Sequence, residues 1–221
     1  MMRLILRMLY KNLVFPKVVD RPFFYTSFVA TADGKAYVSK KGYWPIGSRI
    51  DYDTFTFLRA HADAIIDGKQ TAIRFGKNTI DTIHSEDFGK LRETLGKKEP
   101  TAYIVLTKHQ NEELANALKN SYGFVPTISG DSIEQIASSL HQKGMRHVFI
   151  DGGPHVIASF LKAHLLDEIF LTLAPRIFGN EKNAAITMVE GMLLEPDEIK
   201  LDLLSMEQVE NEVFLRYRVR H

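Results

Sequence analysis

From residue 102 to residue 173 the chain alternates short apolar runs with amphipathic segments, and this rhythm restricts the fold more than any other feature. Ala102 to Thr107 (AYIVLT) reads as a strand and Asn111 to Asn120 as a helix. Phe124 to Ile128 is a strand, followed by a helix over Ser132 to Gln142 that carries Ile133, Ile136, Ala137 and Leu140 on one side and ends at Gly144. Val148 to Ile150, Pro154 to His164 and Glu168 to Leu173 repeat the pattern as strand, helix, strand. Strands separated by helices of this length build βαβ units and a largely parallel sheet. Upstream, Phe23 to Ala30 predicts a buried strand, Ala32-Asp33-Gly34-Lys35 a turn, Asp51 to His61 a helix, and Ala64 to Asp67 a short strand stopped by Gly68. Thr82 to Lys98 is polar without a clear period and reads as a surface excursion. Leu201 to Val209 and Val213 to Val219, around Glu210-Asn211-Glu212, predict an antiparallel hairpin.

The expected architecture is an α/β fold: a mixed, mostly parallel sheet with helices on both faces and a C-terminal antiparallel hairpin. One domain spans residues 21–221, preceded by an extension over 1–20. A chain of 221 residues that is 45% hydrophobic can bury one sizeable core. Its net charge of +1 argues against bulk electrostatic binding of nucleic acid. With no cysteine there is no disulfide, thiolate zinc site or cysteine nucleophile, which fits a reducing cytoplasm. The eight histidines show no metal-ligand spacing, so no metal is expected. In the extension, Arg3, Arg7 and Lys11 recur every four residues, as on a short amphipathic helix that packs on the body or on a partner subunit. Attachment to a membrane surface is the alternative; the basic residues interrupt any export signal, and no run is long enough to span a bilayer.

In an open α/β sheet ligands bind beyond the carboxyl ends of the parallel strands. Four such ends carry polar or glycine-rich residues: Asp67-Gly68-Lys69-Gln70-Thr71, Thr107-Lys108, Ser129-Gly130-Asp131 and Asp151-Gly152-Gly153-Pro154-His155. Glycines let a ligand approach the backbone, a helix start attracts phosphate, and Pro154 suits the first helical position. A tight structural turn explains Gly152-Gly153 equally well. Lys69, Thr107 and Lys108 could read a 2′-phosphate. The G-x-G-x-x-G, P-loop and G-x-S-x-G signatures are absent.

Taken in order, these blocks resemble the reductase domain of the bifunctional riboflavin-biosynthesis deaminase/reductase, a relative of dihydrofolate reductase. The residues that carry the resemblance are Arg21-Pro22, the strand with Thr31-Ala32-Asp33-Gly34-Lys35, Trp44, and Leu58-Arg59-Ala60. They continue with Ala62 to Thr71, Asp151 to Pro154, Asp167-Glu168, Ala174-Pro175 and Gly179. The resemblance covers about residues 21 to 220 and implies a three-layer dihydrofolate-reductase-like fold. It also implies an NADPH-dependent reductase that converts the ribosyl group of a phosphorylated 5-aminouracil intermediate to ribityl, acting as a cytoplasmic homodimer.

Carried onto this sequence, NADPH falls to Ala30, Gly68, Lys69, Gln70, Thr71, Thr107, Lys108, Ser129, Asp151, Gly152, Gly153, Pro154 and His155. Thr31, Asp33 and Asp51 are the catalytic candidates. Ser27, Trp44, Arg59 and Arg74 are the substrate-side candidates. Three departures stand out: Ser27 where family members often have lysine, Asp151 in place of glutamate, and no D-D-P segment after Thr71. The deaminase's H-x-E and P-C-x-x-C motifs are also absent from these residues. The alternatives are a dihydrofolate reductase, suggested by Trp44-Pro45 followed by Asp51 and Phe55, and a nucleotide-binding relative without turnover.

Overall fold

A computed structural model describes residues 9–10, 13–38, 46–181, 185–193, 195 and 198–221. The sheet has eight strands. Six are parallel, in the order β5 (Thr127–Ser129), β4 (Ala102–Leu106), β3 (Ala64–Gly68), β6 (His147–Gly152), β1 (Phe23–Thr31) and β7 (Leu166–Ala174). Two antiparallel strands, β10 (Glu212–Arg220) and then β9 (Lys200–Val209), complete it beyond β7. A separate pair joins β2 (Tyr37–Val38) to β8 (Ala185–Ile186).

Six helices are described: α1 (Arg49–Ala60), α2 (Lys69–Ile83), α3 (Glu86–Thr94), α4 (Glu112–Ala117), α5 (Ile133–Gln142) and α6 (Pro154–Lys162). The inner strands are apolar at successive positions because both sheet faces are covered. On one face Tyr25, Ile65, Tyr103, Phe149 and Phe170 pack with Leu58 of α1, Ala72 and Ile80 of α2, and Leu114 of α4. On the other, Phe24, Ile66, Val148, Ile150 and Ile169 pack with Ile136 and Leu140 of α5 and with Ile157, Phe160 and Leu161 of α6. Each such side chain contributes about 1.5–3 kcal/mol on burial. The three layers follow from this alternation, as the sequence predicts.

One expectation is corrected. Thr82 to Lys98 is not an irregular excursion, since it holds the end of α2 and the whole of α3. Ser85 caps α3, Phe88 is buried, and the Arg92 guanidinium donates to the carbonyls of Ala60, Ala62 and Glu99. The polar residues of α3 hide its period: Phe88, Leu91 and Leu95 recur at helical spacing on its inner side, with buried Arg92 interrupting the stripe. The segment after Thr71 is helix α2, and Arg74 lies on it. Strand β10 is paired on both sides, by β7 and β9, so β9 forms the edge. Of the N-terminal extension, Leu9, Tyr10 and Phe15 are buried in the first of the two cores, with the Tyr10 ring 5.0 Å from Phe170.

Candidate active site

The chain leaves β3 toward β4 and leaves β6 toward β7, on opposite sides. The crevice between β3 and β6 is therefore the point where the winding reverses, the general ligand position in open α/β sheets. Helices α2 and α6 start there and diverge to opposite faces. Their starts differ from those of the other described helices. Ser48, Ser85, Asn111 and Ser132 cap α1, α3, α4 and α5 through their side chains, and each of those helices has an acid in its first turn. Helices α2 and α6 begin at Gly68 and Gly153 with no side-chain cap and no acid in the first turn. Their amide groups and positive dipole ends are thus left to an anion.

The glycines at this point have defined tasks. Gly153 has φ +100° and Gly152 φ +148°, angles an L side chain rarely adopts. A Cβ on Gly153 would stand 3.2 Å from Thr71 Oγ1, and one on Gly68 would stand 2.8 Å from Val156 Cγ2. The Gly152-Gly153 pair is therefore required by the turn itself. Replacing Gly153 strains the backbone whatever binds there, so that substitution does not separate a structural from a binding role.

The remaining cofactor candidates continue along the same edge. Leu106, beside Gly68, is also in register with Ser129, which sets Thr107 and Lys108 between the ends of β3 and β5. Thr107 N donates to Ser129 O at 2.8 Å, Thr107 Oγ1 to His109 O at 3.0 Å, and Ser129 Oγ to Asp131 Oδ2 at 2.8 Å. Both hydroxyls thus shape their own turns, while Lys108 and Gln70 are exposed and Lys69 is half-buried. His155 lies on the surface against Gly191, where a Cβ would come 2.8 Å from its ring carbon Cε1.

Asp151 points inward. Its carboxylate pairs with the guanidinium of Arg59 and only 5% of the side chain is exposed. Arg59 also donates to Thr79 Oγ1 at 3.1 Å and lies over the Phe55 ring at 4.2 Å. Burial lowers its pKa to about 10, against the carboxylate of Asp67. Asp67, pushed up to about 6 by burial, accepts the Tyr103 hydroxyl at 2.6 Å. Arg59, expected on the substrate side from the sequence, has its guanidinium paired with the residue that precedes the Gly-Gly turn.

Thr31 and Asp33 end β1 in a latch. The Thr31 hydroxyl donates to Asp33 Oδ1 at 2.5 Å, and the amides of Phe178 and Gly179 donate to the same carboxylate at 3.2 and 2.8 Å. The Thr31 bond, with those amides, holds Asp33 down at about 2. Its oxygens join two loops, which leaves it little freedom to move a proton.

Asp51 is different. It stands in the first turn of α1, near the Thr172 hydroxyl of β7. Burial raises its pKa to about 6, the Thr172 hydrogen bond opposes the rise, and the charge of Glu212 adds to it. Thr172 pairs with Val29, and Ser27 lies two residues earlier on the same side of β1. Asp51, Thr172 and Ser27 thus share one face of the sheet near the end of β1. Arg74 lies further out with its guanidinium over Tyr37 at 4.6 Å, and Trp44 lies outside the described residues. Thr172 and Glu212 were not singled out from sequence, because a buried threonine and a hairpin glutamate carry no motif.

Residues 22–215 match the RibD C-terminal domain family. The Aquifex aeolicus riboflavin biosynthesis protein RibD is 29% identical over 173 residues, 72% of this chain and 48% of that protein, so the chain spans about half its length. A Methanothermobacter thermautotrophicus protein, named 2,5-diamino-6-ribosylamino-4(3H)-pyrimidinone 5′-phosphate reductase, is 23% identical over 90% of this chain and 99% of its own. The crystal structure of a pyrimidine reductase-like protein from Corynebacterium diphtheriae superposes with a TM-score of 0.69 at 19% identity, covering 98% of this chain and 99% of that one. The match over 22–215 takes in both the glycine turn and the Asp51 face, and the chain belongs to the RibD C-terminal domain family.

Proposed function

We propose that the chain is an NADPH-dependent reductase that converts the ribosyl group of a phosphorylated 5-aminouracil intermediate to ribityl. The observation that carries this reading is the pair of helix starts, α2 and α6, left without caps or acids on either side of the switch point. The name of the archaeal relative, a phosphate ester of a ribosylaminopyrimidine, supports the substrate class.

NADPH, when bound, supplies a hydride. The chain's residues do the rest. Gly68 to Thr71, Gly152, Gly153 and His155 offer backbone amides to its phosphates, while Pro154, which has no N–H, starts the helix between them. Lys69 and Lys108, with the turns of Thr107 and Ser129, receive the adenosine end and its 2′-phosphate. Ala30, at the end of β1 beside β6, lines the point where cofactor and substrate meet. Asp51 faces the substrate and holds a proton up to about pH 6, so it can exchange that proton with the group being reduced. Ser27 brings no charge to this face, and Arg74 lays its cation over the Tyr37 ring.

The protein acts as a homodimer in the cytoplasm in this reading. Leu201, Leu203 and Met206 of β9 are 43%, 53% and 63% exposed and stand opposite Val219, Tyr217 and Leu215 on one sheet face. An apolar edge of this kind calls for a partner. Among the described residues, no helix is long and apolar enough to cross a membrane.

NADPH oxidation with the phosphoribosylaminopyrimidine and with dihydrofolate, measured side by side, tests the assignment. Turnover of the first alone is expected. Turnover of dihydrofolate instead, or of neither, refutes it.

A further inference from the structure

Glu212 opens β10 and is 6% exposed, an unusual place for a carboxylate in an outer hairpin. Its partners are on another element 164 residues away: Ser48 N donates to Oε1 at 2.8 Å and Ser48 Oγ donates to Oε2 at 2.5 Å. Ser48 is the N-cap of α1, and its Oγ accepts the amides of Ile50 and Asp51 at 3.1 and 3.3 Å. A chain of hydrogen bonds therefore runs from β10 through the cap to the backbone of Asp51. The residue before the cap contributes from the other side. A Cβ on Gly47 would stand 2.6 Å from Asp51 Cγ and 2.7 Å from its Cβ, so the carboxyl group lies over bare backbone that only glycine leaves open.

We infer that Glu212 and Gly47 are positioning residues for the reaction: Glu212 fixes the cap that carries Asp51, and Gly47 leaves the space its carboxyl group fills. The inference rests on the reading of Asp51 as the substrate-facing acid. Tyr10 from the N-terminal segment, Thr172 from β7 and Glu212 from β10 face Asp51, and Arg216 of β10 faces Tyr10. Glu212 is thus the like charge beside the acid, and its removal makes the Asp51 proton easier to lose.

The test is a carboxyl carbon-13 NMR titration of Asp51, with its signal assigned from Asp51→Asn, in wild type, Glu212→Gln and Gly47→Ala. Turnover is measured on the same samples. Glu212→Gln keeps an acceptor for Ser48 N but loses the one for Ser48 Oγ. The expected result is a fall of the Asp51 midpoint by roughly half a unit to one unit, with the alkaline limb of the rate profile, where Asp51 loses its proton, moving down with it. Gly47→Ala displaces the carboxyl group and lowers kcat by up to roughly 100-fold. An Asp51 midpoint that stays put in Glu212→Gln and an unchanged signal in Gly47→Ala overturn the inference. If Glu212→Gln does not fold, Gly47→Ala alone decides. If Asp51→Asn turns over normally, the catalytic reading of Asp51 fails, and the titration still reports whether Glu212 and Gly47 hold its carboxyl group.

Discussion

Asp51 carries a charge where the fold disfavours one, and removing that charge should stabilise the protein while removing its activity. In the folded chain its pKa is raised from an ordinary 3.8 to about 6, first by burial. Between about pH 4 and 6 the folded state holds a proton that the unfolded chain has released. Stability therefore falls as pH rises through that window, and the penalty is complete above pH 6. The shift of about 2 units corresponds to about 3 kcal/mol, an upper bound because the carboxyl group keeps part of its hydration. Asp51→Asn keeps the shape and an acceptor for the Thr172 hydroxyl but cannot ionise. At pH 8 it should be more stable than wild type by up to about 3 kcal/mol, or about 6–12 °C in Tm for a chain of this size. At pH 4 the two proteins should unfold together. Urea unfolding at both pH values measures the difference, and other titrating groups cancel between the two proteins. A mutant less stable than wild type at pH 8, or equally stabilised at pH 4 and pH 8, refutes the reasoning.

Arg59→Ala leaves the Asp151 carboxylate buried without its cation and should cost about 3–5 kcal/mol, read by urea unfolding; a cost below about 1 kcal/mol would show that Asp151 finds another partner. Lys108→Ala should narrow the preference for NADPH over NADH, because a charge-assisted contact is worth about 1.5–3 kcal/mol, or about 10- to 150-fold in affinity. Calorimetric titration of both cofactors checks this, and equal affinity of wild type for the two would remove the basis for it. Leu203→Glu should turn a dimer into a monomer by light scattering while NADPH still raises its Tm; a wild type that is monomeric at micromolar concentration contradicts the edge assignment.

The glycine-rich strand ends were legible because their signal is local: Gly68 and Gly152-Gly153 follow apolar runs and precede helices. The strand alternation was legible for the same reason, since each βαβ unit shows its own period. Helix α3 was not, because its stripe of Phe88, Leu91 and Leu95 is interrupted by Arg92, whose charge reads as surface until its three backbone acceptors are seen. The partnership of Arg59 with Asp151 spans 92 residues and that of Ser48 with Glu212 spans 164. Pairings of that range appear only once the strand order is known. The resemblance places Arg59 on the substrate side, and its ion pair with Asp151 is a structural partnership that no motif encodes.

The place of β10 has a bearing on how the molecule is made. Strands β3, β4 and β5 pair residues 38 and 23 positions apart and β6 joins β3 across 84, so with α2 and α5 they can collapse before β10 is made. The Asp51 face cannot. Glu212 must reach Ser48, and Arg216 must come over Phe15 and Phe170, at 5.9 and 5.5 Å from their rings, before that side is closed. Those contacts join the two ends of the chain, so their loop-closure entropy is met late. The half built on β3, β4, β5 and β6 is therefore expected to precede the half that carries Asp51 in assembly. A nascent chain that has not yet made β10 exposes the rings of Tyr10, Phe15 and Phe170, which makes that interval the one in which chaperone binding or aggregation competes with folding.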